Sequence, residues 1–279
     1  MLKVAITHDV DRTQKTYQYI THSLKALSNL DFIKLANQIK LIFLPNKYWG
    51  FDEIIKIESG FNIKSTFFFL NESLSFDLFR PSNWELSLGR YNISDPKIID
   101  IINFLDKNGW EIGLHGSFNS YKNRELLLRE KEILEKILSH EIVGIRQHYL
   151  NLTENTWNIQ FSIGLKYDTS WGLNKDIGFK KNKIKPFKPF KNEFLVIPMT
   201  IMDTPFVNSK NKWDNLKRII DRIIKEDSIL VINWHTNYYD ELEFPNYKSD
   251  FIKIIEECKN YKATFYTLKE YYSEFESMY

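Results

Sequence analysis

The chain of 279 residues contains a single cysteine, Cys258, so no disulfide can form within one chain. This favours a reducing compartment. No apolar run approaches the roughly 18 residues that a membrane-spanning helix needs. The first residues, MLKVAITHDVD, enter a strand-like run at once and lack the charged region, apolar core and cleavage site of a signal peptide. We therefore expect a soluble, cytoplasmic protein.

An excess of charge of one sign is also lacking. Lys and Arg number 38 against 36 Asp and Glu, which gives a formal net charge of +2. A broad basic field of the kind that binds nucleic acid is therefore excluded. Gly (10) and Pro (8) are scarce, while 43% of the residues are hydrophobic. With no linker-like segment and no internal repeat, the sequence predicts a single domain over residues 1–279.

Short apolar runs alternate with amphipathic segments along the chain. The runs are continuously apolar, as expected of strands that are buried on both faces of a parallel sheet. They are KVAIT (3–7), STFFFL (65–70), WEIGL (110–114), IVGIRQ (142–147), LKYDT (165–169), FLVIPM (194–199), ILVINW (229–234) and ATFYTL (263–268). The amphipathic segments predict helices over 95–109, 123–140, 212–227, 247–260 and 267–278. This alternation predicts an α/β barrel, closed or nearly closed.

Three segments stand outside this alternation. Residues 13–60 predict a helical insertion after the first strand, and residues 71–94 an aromatic-bearing loop. Residues 175–192, the lysine-rich loop, hold seven lysines interleaved with phenylalanines. That loop is either a solvated loop anchored by its aromatic side chains or a contact for an anionic sugar, a nucleotide diphosphate or a lipid diphosphate.

Polar side chains follow five of the predicted strands, at the point where each strand ends. These groups are, in chain order, Asp9 and Asp11; His115 and Asn119; Arg146, His148 and Tyr149; Asp168 and Trp171; and His235. Each alone has an ordinary explanation, such as a helix cap or a structural histidine. In a parallel barrel, however, the strand ends face one mouth, where catalytic groups gather. Their recurrence at successive strand ends predicts a catalytic site.

Taken together, the five groups resemble the motifs of the polysaccharide deacetylase family, also called the NodB-homology family or carbohydrate esterase family 4. The resemblance covers residues 2–236 and follows the family's motif order. THDVD, HGSFNS and IRQHYL resemble in particular a divergent cytoplasmic branch associated with bacterial surface-polysaccharide gene clusters. The resemblance implies a distorted (β/α)7-type barrel and divalent-metal-dependent removal of N-acetyl groups from sugars.

The resemblance also implies catalytic roles for the matching residues. Asp9 corresponds to the catalytic base, and Asp11 to a metal ligand. His235 corresponds to the general acid that protonates the leaving nitrogen. Arg146 would keep Asp9 ionised, and Asp168 would orient His235 or Arg146 as a supporting partner.

Four further residues are candidates for substrate binding. The backbone of Tyr149 corresponds to the family's oxyanion stabiliser. Trp171 and Trp234 lie near strand ends, where aromatic rings either stack on a sugar or simply pack. Asp203 follows the strand-like start of MTIMDTPF (199–206) and either adds a carboxylate to the mouth or caps a helix.

The metal shell is where the sequence departs from the family. The family's second motif has two histidines four residues apart, but here His115 is followed by Asn119. Three interpretations remain open. Asp11, His115 and the Asn119 amide oxygen bind a divalent metal, zinc first. Alternatively, His148, which stands where the family has proline, supplies the missing imidazole. In the third interpretation the chain binds no metal, and Asn119 and His148 contact the substrate directly.

We therefore predict an enzyme, a carbohydrate deacetylase-like amidohydrolase acting on C–N bonds other than peptide bonds. Its substrate would be an N-acylated sugar or glycan precursor in lipopolysaccharide or capsule biosynthesis, with hydrolysis and acyl transfer both open. The alternative is a carbohydrate-binding pseudoenzyme on a deacetylase barrel that has lost its metal. No nucleic-acid partner is expected.

Overall fold

The computed structural model describes residues 1–44, 48–190 and 193–278. Residues 45–47 of the helical insertion, 191–192 of the lysine-rich loop and 279 lie outside the described residues. Within the described chain, nine strands form one sheet. The strands are β1 (Lys3–Val10), β2 (Thr66–Leu70), β3 (Glu111–Gly116), β4 (Gly144–Gln147), β5 (Tyr167–Asp168), β6 (Leu195–Val196), β7 (Ile201–Met202), β8 (Ile229–Asn233) and β9 (Thr264–Tyr266).

The sheet curls into a barrel with one open side. Its strand order is β6-β5-β4-β3-β2-β1-β8-β7, and every neighbouring pair along this path is parallel. β9 pairs with the first half of β1, next to the half that pairs with β2. Among the described residues no ladder joins β6 to β7, the two ends of the path. The prediction of a distorted (β/α)-type barrel is thereby confirmed.

Helices surround the sheet. They are α1 (Gln18–Ser28), α2 (Phe32–Ile42), α3 (Phe51–Phe61), α4 (Pro81–Ser87), α5 (Pro96–Lys107), α6 (Arg124–Leu138), α7 (Thr156–Ser162), α8 (Asp203–Val207), α9 (Lys212–Lys225), α10 (Tyr247–Asn260) and α11 (Leu268–Met278). The local signals are those of ordinary helices. Asp95 caps α5 with Pro96 in its first turn, and Asn123 caps α6. α1, α2 and α3 form the predicted insertion after β1.

No helix of the described chain is both long and apolar enough to cross a membrane.

Two of the predicted strands are much shorter than their apolar runs. LKYDT (165–169) and FLVIPM (194–199) each supply two strand residues, in β5 and β6. Pro198 cannot donate to a ladder, which ends the second run early. β7 was not among the eight predicted runs, but it lies in the strand-like start of MTIMDTPF that precedes Asp203. β6 and β7 form the two edges of the open side, and β5 lies next to β6.

Alternation along each strand explains how polar groups reach the mouth. Successive side chains of a strand point to opposite faces. On β1, Val4 and Ile6 face outward and pack under the helices, while Ala5 faces into the barrel. Thr7 and Asp9 continue the inward series toward the carboxyl end of the strand. The interior therefore changes from apolar at the bottom to polar at the top.

The bottom of the barrel is closed by apolar side chains. Phe68 of β2 and Val231 of β8 pack inside it against Leu268 and Tyr271 of α11. Burying such side chains stabilises the fold by about 1.5–3 kcal/mol each. The open end is therefore the mouth, where the strands end.

Candidate active site at the barrel mouth

A fully buried arginine organises the inner layer of the mouth. Arg146 of β4 donates from Nη1 to Asp9 Oδ1 at 2.9 Å and to Asn233 Oδ1 at 2.8 Å. The same nitrogen lies 2.7 Å from Thr7 Oγ1, and the guanidinium carbon lies 4.8 Å from the centre of the Phe68 ring. A buried charge costs several kcal/mol unless it is paired in this way. Arg146 and Asp9 therefore form a unit.

Asp9 is held as an oriented carboxylate. Burial raises its pKa, but Arg146, His115 and His235 together outweigh burial, and the pKa is lowered. Asn233 Nδ2 donates to Asp9 Oδ2 at 2.8 Å, so both oxygens are fixed. Asn233 and Thr7 were not predicted as site residues. Their signal was present, since each is a polar residue in an otherwise apolar, buried strand.

A second charged pair lies across the mouth. Asp203 Oδ2 accepts hydrogen bonds from the backbone N of His235 at 2.6 Å and from its Nδ1 at 2.7 Å. Burial lowers the pKa of His235, but Asp203, Asp11 and Asp9 raise it to about 10. Because Nδ1 faces Asp203, Nε2 faces the mouth, 3.9 Å from Asp9 Oδ2 and 3.9 Å from Asp11 Oδ2. His235 Nε2 therefore lies beside both carboxylates, Asp9 and Asp11.

Gly50 permits the close packing of the insertion behind His235. A Cβ at this position would overlap the backbone carbonyl oxygen of Thr236, the residue that follows His235. A backbone oxygen cannot move aside as the end of a flexible side chain can. Any residue other than glycine would therefore push α3 away from the segment that carries His235.

Three potential metal ligands meet at the rim of the mouth. The ligand atoms of Asp11, His115 and His148 all lie within 4.8 Å of one another. Asp11 Oδ1 lies 3.3 Å from His115 Nε2 and 3.5 Å from His148 Nε2. His115 Nδ1 donates to the Arg146 carbonyl oxygen at 2.9 Å, which leaves the Nε2 lone pair facing Asp11.

This donor set fits a divalent cation. Asp11 Oδ1 is buried and receives no well-formed hydrogen bond from the described residues. Burial raises the pKa of Asp11, yet the two neighbouring histidines, His148 first, hold it well below its usual range. Burial lowers the pKa of His148. An ionised carboxylate with two imidazoles is the ligand chemistry of catalytic zinc sites, which keep a fourth position open.

The turn after β4 directs His148 into the mouth. Tyr149 and Leu150 both adopt the left-handed conformation, with φ of 57° and 54°. This conformation costs a residue other than glycine about 1–2 kcal/mol, and such strain often marks a functional site. His148 is consequently buried, with its ring centre 5.3 Å from that of His115.

Asn119 lies apart from this arrangement of hydrogen bonds. It is half-exposed after β3 and directly precedes a short 3-10 turn, Ser120–Lys122. Its side chain forms no hydrogen bond within the described part of the chain. The sequence left open whether the Asn119 amide or the His148 imidazole completes the ligand set. In the structure it is His148 that lies next to Asp11, with Nε2 3.5 Å from Oδ1.

The segment before α5 braces Asp11. Arg90 Nη1 donates to the Asp11 carbonyl oxygen at 3.1 Å. The Tyr91 hydroxyl donates to the Val10 carbonyl oxygen at 3.0 Å and accepts from Leu70 N at 2.7 Å. The sequence had indicated only an aromatic-bearing loop over residues 71–94. Arg90 and Tyr91 fix the end of β1, and with it the direction of the Asp11 side chain.

Asp168 has other partners than those expected. It was expected to orient His235 or Arg146, but Asp203 occupies that place beside His235. Asp168 is fully buried and accepts hydrogen bonds from Trp157 Nε1, Gln160 Nε2 and Ser170 Oγ. Ser170 Oγ in turn accepts from Gln147 N at 2.8 Å. Asp168 thus anchors α7 and the end of β4, and it supports the site from a distance.

The three aromatic residues predicted to contact the substrate, Trp234, Trp171 and Tyr149, differ in how exposed their rings are. Trp234 is fully buried among Phe206, Tyr247 and Phe251, so a sugar cannot stack on it. The reason is that residue 234 points outward from the barrel, under the helices. Trp171 is partly buried and packs against Trp157 and against Phe187 of the lysine-rich loop. Tyr149 is the most exposed of the three, with 42% of its surface accessible.

The open parallel barrel and the polar groups at its mouth define a polysaccharide deacetylase-type protein. The profile of the WbmS-like polysaccharide deacetylase family matches residues 97–239, just over half of the chain. The chain belongs to this family. No curated protein matches the chain significantly in sequence.

Solved structures agree on the fold. A candidate polysaccharide deacetylase from Mycobacterium smegmatis superposes with a TM-score of 0.62 at 14% identity, over 99% of this chain and 91% of that one. A candidate polysaccharide deacetylase from Pseudomonas aeruginosa PAO1 gives 0.60 at 14% identity, over 98% and 90%. At this level of identity the likeness concerns the fold alone.

Proposed function

We propose that this chain hydrolyses an N-acyl group on a sugar, by metal-assisted acid–base chemistry, during the synthesis of a bacterial surface polysaccharide. One observation carries the proposal: an Asp9–Arg146 pair and a His235–Asp203 pair meet at the mouth beside the Asp11, His115 and His148 cluster. A protein that only binds sugar has no need for a base and an acid on opposite sides of a gap of 3.9 Å. Membership of the deacetylase family supports the same chemistry.

Asp11, His115 and His148 would hold the divalent ion, zinc first. When bound, such an ion polarises the acyl carbonyl and lowers the pKa of water toward neutrality. The low pKa of Asp9 makes that help necessary, because a carboxylate of low basicity removes a proton only from an acidified water. Arg146 and Asn233 keep the Asp9 carboxylate in one orientation for this step.

The bond changes follow from the placement of the two pairs. The water oxygen attacks the acyl carbon, and its proton passes to Asp9. The C–N bond then breaks, and His235 Nε2 donates a proton to the leaving nitrogen. The products are a free carboxylic acid and an amino sugar. Asp203 stabilises the protonated form of His235 before the transfer, as the high pKa of that histidine indicates.

The backbone at Tyr149 and the Tyr149 ring are proposed to contact the substrate. The left-handed turn at this residue brings its backbone to the rim beside His148. The ring contacts Phe118 at right angles and leaves part of its surface open. We also place the reaction in the cytoplasm, a proposal supported by the single cysteine, Cys258, which is buried and free.

The test is release of the acyl group by purified, zinc-supplemented protein. N-acetylated nucleotide sugars and glycan precursors are incubated with the protein, and free acetate is measured. We expect acetate from at least one substrate and a loss of about 10²–10⁴-fold with Asp9→Asn. Asp221→Asn, which makes the same change on the exposed face of α9, should retain full activity. If no substrate releases acetate, or if Asp9→Asn is as active as the control, the proposal fails.

A further inference from the structure

Two arginines at the rim of the mouth have no carboxylate partner. Arg12 directly follows Asp11 in the sequence, and Arg90 donates to the Asp11 carbonyl oxygen at 3.1 Å. Within the described chain, the arginines that form ion pairs are Arg80 and Arg146. A guanidinium group keeps its charge in proteins, so Arg12 and Arg90 are two cations without a countercharge of their own.

The two guanidinium groups meet at one neutral atom. Arg12 and Arg90 both donate from Nη2 to the Glu85 carbonyl oxygen, at 2.5 Å and 3.4 Å. This oxygen lies in the last turn of α4, where free carbonyls commonly attract cations. It accepts both hydrogen bonds but supplies no full negative charge, so two like charges are held side by side. The Glu85 side chain is exposed and forms no ion pair with either arginine in the described structure.

The protein leaves donors of Arg12 unused. The other hydrogen bond of Arg12, from the same Nη2, goes to the Tyr17 hydroxyl at 3.0 Å. Its Nη1 donates to none of the described residues, and its buried Nε has no partner among them either. An arginine has five N–H donors, and leaving buried donors unpaired costs free energy. A bound anion would satisfy such donors and offset the repulsion between the two cations.

The three carboxylates of the site cannot serve as that anion. Asp9 accepts a hydrogen bond from Arg146, and Asp203 accepts one from His235. Asp11 directs Oδ1 toward the two histidines of the proposed metal cluster. A negative charge for the two rim arginines therefore has to come from outside the protein.

Arg12 lines a cavity that lies next to the candidate acid. The cavity measures about 710 Å³, within the range of about 300–1,000 Å³ that is typical of ligand pockets. Tyr238 lines it as well, and the Tyr238 ring centre lies 5.5 Å from that of His235. Ile20, from the hairpin formed by α1 and α2, and Trp84 contribute apolar surface to its walls. Because His235 protonates the leaving nitrogen in the proposed reaction, the sugar that carries this nitrogen should extend past His235 into the cavity.

We propose that the substrate is an anionic N-acyl sugar whose phosphate or carboxylate group is bound by Arg12 and Arg90. Arg12 contacts the anion from the wall of the cavity, and Arg90 adds the second positive charge. A planar guanidinium group fits either oxyanion through two parallel N–H bonds. The assignment of this anion to the substrate rests on the proposed function, whereas the presence of an anion site does not.

The first experiment measures the binding of three sugars that carry no acyl group and therefore cannot be deacetylated. Glucose, glucose 1-phosphate and glucuronate are titrated into the zinc-supplemented protein and followed by calorimetry. We expect at least one of the two anionic sugars to bind at least about tenfold more tightly than glucose, because hydrogen bonds to charged groups are strong. A preference for glucose 1-phosphate identifies a sugar phosphate as the ligand, and a preference for glucuronate identifies a sugar acid.

Three variants test whether Arg12 is the origin of this preference. Arg12→Gln should abolish it, and Arg12→Lys, which keeps the positive charge, should retain part of it. Arg129→Gln removes a cation from the exposed face of α6 and should bind like the parent. Circular dichroism and the zinc affinity of each variant check that the fold and the metal cluster are intact.

The second experiment tests the assignment of the anion to the substrate. Acetate release is compared for N-acetylglucosamine, N-acetylglucosamine 1-phosphate and N-acetylglucosaminuronic acid. We expect the anionic substrate that matches the binding preference to have a KM at least about tenfold lower than the neutral one. Arg12→Gln should raise that KM by about tenfold and change kcat less, because the anion takes no part in bond breaking.

Two outcomes would overturn the proposal. In the first, neither anionic sugar binds more tightly than glucose. In the second, Arg12→Gln keeps the full preference of the parent. A failure of the proposed function would look different, because the anionic sugar would bind with the expected preference while none of the three acetylated sugars released acetate.

Discussion

The barrel mouth and the α1–α2 hairpin place opposite kinds of side chain in unusual positions. At the mouth, Arg146 and Asp9 are buried, although charged side chains are almost never buried unless paired. On the hairpin, Leu24 and Phe43 are exposed, although large apolar side chains are most often buried. A contiguous exposed apolar surface marks an interaction site. The buried charge pair costs desolvation free energy, whereas the exposed apolar side chains gain no burial on folding. This protein therefore departs from ordinary burial in two places, and both lie on the side where the strands end.

The two regions should also differ in how they tolerate substitution. Arg146→Met should destabilise the protein by about 3–5 kcal/mol, because it leaves Asp9 buried without its cation. Urea denaturation at neutral pH measures this loss. The double variant with Asp9→Asn should recover part of it, since the orphaned charge is then removed as well. If Arg146→Met and the parent have equal free energies of unfolding, Asp9 does not need its cation for the protein to fold stably.

The opposite wall of the mouth gives the next largest effect, on catalysis. Burial lowers the pKa of His235, but Asp203, together with Asp11 and Asp9, raises it to about 10, and Asp203→Asn removes the first of these carboxylates. The pKa of His235 should therefore fall, and its proton should be lost at lower pH. We expect the alkaline limb of the kcat/KM profile to move to lower pH, with the acidic limb unchanged. An unmoved alkaline limb would mean that His235 is not the acid.

A buried carboxyl beside β3 gives a smaller effect that depends on pH. Burial raises the pKa of Glu130 from 4.5 to about 7, and hydrogen bonds from Ser117 offset only part of the rise. Folding therefore takes up a proton in this window, so stability falls as pH rises from 4.5 to 7. Glu130→Gln should flatten this dependence and stabilise the protein at pH values above 7 by about 2–3 kcal/mol. Thermal melts of the parent and of Glu130→Gln at a series of pH values measure how stability depends on pH. If stability falls equally steeply with pH in both proteins, Glu130 is not the group responsible.

The smallest effect is expected where apolar side chains already face solvent. Leu24→Gln and Ile39→Gln should each change the free energy of unfolding by no more than about 0.5 kcal/mol. These residues bury little surface that folding would have to protect. A chemically similar loss in the core costs several times more. A large destabilisation by either change would mean that the hairpin's outer face is part of the fold.

Much of the fold could be predicted from the sequence. Eight of the nine strands overlap the predicted apolar runs, because strands buried on both faces are mostly apolar. β1 and β3 extend beyond their runs by three and two residues. β7 was not listed among these runs, although it lies in the strand-like start of MTIMDTPF that precedes Asp203. The inverted burial of α1 and α2, which expose Leu24 and Ile39, could not be predicted. An amphipathic pattern gives the two faces of a helix but does not say which one meets the protein.

The candidate site was predictable in outline and not in its pairings. Parallel strand ends share one edge of the barrel, which explains why Asp9, Arg146 and His235 meet. The partner of His235 depends on the relative height of β7 and β8, which no local pattern encodes. The place of His148 beside Asp11 depends on two left-handed residues of types that rarely adopt this conformation. Sequence could therefore offer His148 only as one alternative.

Zinc binding distinguishes the Asp11, His115 and His148 site from one that uses Asn119. Protein stripped with a chelator is titrated with zinc and followed by calorimetry, alongside His148→Ala and Asn119→Ala. We expect one ion per parent chain, an affinity loss of at least about 100-fold for His148→Ala, and an unchanged affinity for Asn119→Ala. A parent chain that binds no divalent ion, or a loss confined to Asn119→Ala, would contradict the Asp11, His115 and His148 site.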